Sequence, residues 1–179
     1  VGATTNFLAS AQLISGAVTN KTEAKKIQSS IQDISTGLSS GKATVSQTIA
    51  NADPQIAALD SKQIQWEKLS KEQATKAFVH VVKAVYLDKK ATDNGQSLVK
   101  NASARDLADS TVKTTVGAFN DVKNSLPTHI DLGGKWIAGL GNYLTTKGVD
   151  TAALKSKTEG EAEKEVVCKN SCSKEFGDS

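Results

Sequence analysis

With 179 residues, the chain is long enough for one hydrophobic core and short for two full domains. Aromatic residues make up only 4% and there are two prolines, so the core must come from Ala, Val, Leu and Ile on long helices. The net charge of +3 is carried by lysines mixed with acids, and Arg105 is the single arginine. Without guanidinium forks for bidentate contact with phosphate or guanine, the sequence argues against a nucleic-acid partner.

The first predicted helix covers residues 5 to 16, where Phe7, Leu8, Ala11 and Ile14 share a face and Gly16 marks a stop. A longer helix follows, with Thr22 as its expected cap and Ile27, Ile31, Ile34 and Leu38 as its apolar stripe. Gly37 and Gly41 bracket its end. Val45 and Ile49 suggest a brief helical piece, and Asp53-Pro54 reads as a new cap followed by proline at the first helical position. Ile56, Leu59, Trp66 and Leu69 come next, and Ser70-Lys71-Glu72-Gln73 matches a capping box.

Ala77 to Leu87 is the most apolar stretch, interrupted only by His80 and Lys83, and it is expected to be the central helix. Its valines leave a strand as the alternative. Thr92-Asp93-Asn94-Gly95 reads as a turn. Leu98, Ala102, Val112, Val116, Phe119 and Leu126 then trace a long helix ending before Pro127. A loop through His129 and Asp131 leads to Gly133-Gly134, and Trp136, Ile137, Leu140 and Leu144 mark a short helix ending near Gly148. From Thr151 the chain is polar, and a surface helix or tail held by Leu154, Val166 and Val167 is expected. The predicted fold is therefore all-α, a single-domain bundle of about five to seven helices, with residues 1–150 as the bundle and 151–179 as its polar C-terminal helix or tail.

Motifs for chemistry fail on their context. Gly37-Leu38-Ser39-Ser40-Gly41 has the spacing of a nucleophile elbow, but that motif works on a turn leading from strand to helix, and here a helix precedes it. Gly133-Gly134-Lys135 lacks the Ser or Thr a phosphate loop needs, and Gly139-Leu140-Gly141 lacks its third glycine because Leu144 stands there. His80 is read as a core histidine bonded to a neighbour. His129 beside Asp131 has no third ligand in view, so no metal site is expected. No catalytic residue and no cofactor is assigned, and the chain is not read as an enzyme.

Cys168 and Cys172, the only cysteines, are four apart. Their Cα separation suits a disulfide with some distortion, and free cytosolic thiols are the alternative. The sequence contains no methionine, which fits a removed signal peptide or a trimmed start. Asn20-Lys21-Thr22 and Asn101-Ala102-Ser103 fit the N-glycosylation pattern. No run of apolar residues is long enough to span a bilayer.

These features lead to the expectation of an extracellular or periplasmic, non-catalytic binding protein for a protein partner or an apolar ligand. Phe78, Val82, Phe119 and Trp136 are the candidate contact residues, and oligomers are compatible with it. The alternatives are a membrane-active protein that inserts Ala77–Leu87 and Trp136–Leu144, or a self-assembling surface protein.

Overall fold

The computed structural model describes residues 1–103 and 105–175, with backbone alone for 167–175. Its seven helices are α1 (Gly2–Ser15), α2 (Lys21–Ser39), α3 (Val45–Asp60), α4 (Lys71–Asn101), α5 (Ser110–Val122), α6 (Leu126–Thr146) and α7 (Thr151–Glu175). Short 3-10 turns at Trp66–Lys68 and Asp106–Ala108 complete the connections. The all-α bundle expected from the periodicity is the fold.

Helix α4 is the axis of the bundle. Ser70 and Gln73 cap it reciprocally, the Ser70 Oγ accepting from the Gln73 N–H and the Gln73 side chain from the Ser70 N–H. Ala74, Ala77, Phe78, Val81, Val82, Ala84 and Val85 are all buried, which settles the helix-or-strand ambiguity of this stretch in favour of helix. Helices α1 and α6 both pack against it. Phe7, Leu8, Ala11 and Ile14 of α1 and Trp136, Leu140 and Leu144 of α6 supply the facing side chains. Small residues allow this closeness. A Cβ on Gly133 would stand 2.3 Å from Val85, and one on Gly139 would stand 2.5 Å from the Trp66 indole. Gly133 and Gly139 therefore serve close packing on a helix, and Trp136 is a core residue at 2% exposure rather than part of a mobile docking loop.

Four expected boundaries move. The cap of α2 is Asn20, not Thr22, because the Asn20 Oδ1 accepts from the N–H groups of Thr22 and Glu23 at 3.0 and 3.2 Å. Helix α3 does not restart at Asp53-Pro54. It is capped by Thr44 and Gln47 and runs through Pro54, since Ile49, Ala52, Ile56 and Leu59 must share one buried face. The turn expected at Thr92–Gly95 is helical interior: Thr92 Oγ1 donates to the Asp88 carbonyl at 2.9 Å, the bond of an unbroken turn. Finally, the one long helix expected from Leu98 to Leu126 is broken: Leu98 closes α4, Val112 to Phe119 lie on α5, and Leu126 and Pro127 open α6, which also carries His129 and Asp131 in place of the expected loop.

The end of α2 is as the glycines suggested. Ser40 is its C-cap and Gly41 follows at φ 71°, the left-handed conformation that releases the chain. Helix α7 lies along α4 and touches α6. Its Ala162 and Thr158 are buried and Leu154 is partly so, while Glu163 and Glu165 pair with Tyr86, Lys90 and Lys83 of α4. Among the described residues, no helix is long and apolar enough to cross a membrane.

Candidate functional site

The second half of α4 projects beyond the α1–α4–α6 core. Asp88, Ala91, Gly95 and Leu98 fall at steps of three, four and three, so they share one face. Opposite them lies α5, whose apolar residues Val112, Val116, Phe119 and Val122 are only partly buried and which has no fully buried residue. The N-terminal turns of α1 and α3 close the remaining sides. These elements enclose a cavity of about 850 Å³ that is partly open to solvent. Its volume lies within the range of about 300–1,000 Å³ usual for small-molecule sites.

Contact between α4 and α5 depends on Gly95. A Cβ there would stand 2.3 Å from the Phe119 ring, so only glycine lets the ring lie flat against the helix backbone. Most of the lining is apolar, with Ile49, Leu98 and Val122 among its larger side chains. The exceptions are threonine and serine hydroxyls, Asn94, Asp121 on the exposed side of α5, and Asp88.

Asp88 is the unusual member. It is 4% exposed, and burial pushes its carboxyl up to about 6, against opposing attraction from His129 and the α-amino group of Val1. The buried His129 belongs to a partly exposed polar row. Its Nε2 meets Asp53 Oδ1 at 2.8 Å, and the other Asp53 oxygen accepts from Ser125 Oγ at 3.0 Å. The imidazole also stacks on Phe7 at 4.7 Å, and Phe7 stacks on Trp136 at 5.1 Å. Serine and histidine here both bind the carboxylate and not each other, so the serine proton has no histidine to receive it. His80, on the neighbouring turn of the core, has its Nδ1 2.8 Å from Asn6 Oδ1, and burial followed by the Lys83 charge lowers its pKa. Ser39, central to the apparent elbow motif, donates to the Thr36 carbonyl at 3.2 Å on the last turn of α2.

The four candidate contact residues separate. Phe78, Val82 and Trp136 are buried in the α1–α4–α6 core, and only Phe119 lines the cavity. The Trp136 Nε1 is buried without a hydrogen-bond partner. Asn20 and Asn101 are both exposed, the first capping α2 and the second closing α4. Cys168 and Cys172 fall on the backbone of α7 with their side chains outside the described residues. Among the described residues, no cluster of three His, Cys, Asp or Glu could hold a metal ion.

Sequence reasoning missed the cavity because the helical face of Asp88, Ala91, Gly95 and Leu98 was cut by the apparent turn at Thr92–Gly95. The three-four-three spacing was the available signal. Comparison of the chain with protein-family models, with curated proteins and with solved structures found no match.

Proposed function

We propose that this protein is a non-catalytic binding module that takes a small apolar ligand into the cavity beneath α5 and works outside the reducing cytosol. The observation that carries the reading is the cavity itself, about 850 Å³ of mainly apolar lining beside a well-buried core. A partly open, mainly apolar space of this size is what small-molecule sites offer. Helix α5, with no fully buried residue, is the element that has least to lose by moving to admit a ligand.

The extracytoplasmic part of the reading requires Cys168 and Cys172 to pair against the regular helical backbone that carries them. A bond between them would have to unwind the last turns of α7. Cβ atoms four residues apart on a regular helix stand about 5–6 Å from each other, and a disulfide holds them at about 3.5–4.5 Å.

The test of binding is a series of linear alcohols of increasing length, titrated calorimetrically. Each methylene taken up contributes about 0.8 kcal/mol, or roughly fourfold in affinity, until the cavity is full. The expected result is a steady rise followed by a plateau, with Leu98→Asn and Val122→Asn each weakening the longest members. Affinity that ignores chain length, or that survives both substitutions unchanged, would remove the cavity as the site.

A further inference from the structure

We infer that the ligand of this cavity carries an uncharged head group of the alcohol class, seated against the Thr4 hydroxyl with its apolar part under α5. The inference rests on the cavity being a ligand site and adds the chemistry of the head group. Thr4 stands on the first turn of α1 and lines the cavity at 8% exposure. Its hydroxyl makes no hydrogen bond among the described residues. Threonines further along a helix return their hydroxyls to a carbonyl of the preceding turn, as Thr114 and Thr115 do at 2.7 and 2.8 Å. Helix α1 begins at Gly2, so Thr4 has no full turn of helix before it. Unlike Trp136 Nε1, which is sealed in the core, the Thr4 hydroxyl is not enclosed by protein, and the space it borders is the cavity.

The remaining hydroxyl and amide groups of the lining make no such demand. Thr44 accepts from the Gln47 N–H at 3.2 Å, Ser46 is half-buried and Asn94 is exposed. Water entering the open cavity can satisfy Thr4. A ligand that displaces this water must bring its own partner, since a buried hydroxyl left unpaired costs about tenfold in affinity. A second hydroxyl is the natural match, because each can donate or accept. No side chain caps α1, so the N–H groups of its first turn are further donors to the ligand's oxygen.

The charges around the cavity do not call for a charged head. Asp88 is already attracted by His129 and by the α-amino group of Val1, so an added cation fills no gap there. Asp121 lies on the exposed side of α5, where solvent screens it. An acid head would be set close to Asp88 in a desolvated place, where like charges repel, and a helix N-terminus offers it only about half a charge in return. A neutral head also avoids the cost of taking a charge out of water.

The deciding experiment uses four probes on one six-carbon chain, 1-hexanol, 1-chlorohexane, hexylamine and hexanoate, titrated calorimetrically into the whole protein near neutral pH. Hexanol is expected to bind at least tenfold more tightly than hexylamine or hexanoate. Thr4→Val keeps the shape of the side chain and removes its hydroxyl. It should weaken hexanol about tenfold while leaving chlorohexane within about twofold, and Thr4→Ser should hold hexanol near the parent value. Should circular dichroism show Thr4→Val unfolded, the ranking of the four heads on the parent protein decides alone. Hexylamine or hexanoate binding as tightly as hexanol, or equal hexanol affinity in the parent and in folded Thr4→Val, overturns the head-group assignment and leaves the cavity reading standing. Binding of none of the four removes the cavity as a ligand site, and the inference with it.

Discussion

The α1–α4–α6 core and the α5 region are built from the same small aliphatic residues and behave as opposites. In the core, Gly133 is needed to admit Val85 of α4 and Gly139 to admit Trp66 of the 3-10 turn. Around α5 a single Gly95–Phe119 contact does similar work, and beside it the helices part to leave about 850 Å³. One helix, α4, serves both regions: its first half is buried on most sides, and its second half offers one face to the cavity. The comparison teaches that here packing fixes one half of a helix and leaves the other bordering open space. Loosely packed, partly exposed elements are where proteins open at low free energy.

The largest expected contrast comes from placing one carboxylate in each region. Val81 is fully buried on α4. Val81→Asp puts an unpaired charge where it costs several kcal/mol, against a total stability of about 5–15 kcal/mol, so the variant should be largely unfolded. Val116 is only partly buried on α5, and Val116→Asp leaves the charge within reach of water, so its melting should stay close to that of the parent. Thermal melts followed by circular dichroism make the comparison. Similar losses in both variants would mean that α5 belongs to the core and not to a separate, yielding cover.

Much of the core was legible in advance, and most of the α5 region was not. Ser70 to Gln73 announced the start of α4 by side-chain chemistry confined to four residues, and the apolar run from Ala77 to Leu87 announced its burial. Boundaries failed where a local signal was overridden by a distant partner. Gly95 looks like a turn residue until Phe119, from another helix, is seen to occupy the space its side chain would fill. Pro54 looks like a helix start until Ile49 and Ile56 are seen to need one continuous face. Asp88 gave no sign of its role, because an acid on a long helix is ordinarily solvated. Only the three-dimensional fold shows that α1 and the cavity wall surround it.

Asp88 sharpens the comparison through pH. Its folded pKa of about 6 lies above its ordinary 3.8, so the folded state holds the proton more tightly. Stability from this group is therefore complete below about pH 4, and is lost as pH rises through about 6. A gap of about two units corresponds to roughly 3 kcal/mol. Expressed as the stability of the parent minus that of Asp88→Asn, the difference should fall by about that amount between pH 4 and pH 7, as read from urea unfolding. A flat difference would mean that the carboxyl is not desolvated, and the cavity wall would lose its distinguishing group.

The smallest expected effect concerns α7, which is attached to the core by yet another means. Among its described side chains, Ala162 and Thr158 are buried and Leu154 and Val166 partly so, which makes a small apolar contact. Its other attachments are polar: Tyr86 Oη donates to Glu163, Lys90 lies 3.3 Å from the same carboxylate, and Lys83 pairs with Glu165. These groups are about half exposed, and ion pairs so placed add little to global stability. The Tyr86 hydroxyl, and then Lys90, hold the Glu163 carboxyl below the usual carboxylate range. A lowered pKa works in the opposite sense from Asp88, so the attachment is present at neutral pH and is lost as pH falls through the folded value. Glu163→Gln should leave the melting temperature almost unchanged while hastening tryptic cleavage beside Lys164. Lowering the pH should bring the parent's amide exchange in α7 up to that of the variant. A marked drop in melting temperature would instead make α7 part of the core, and three differently held regions would become two.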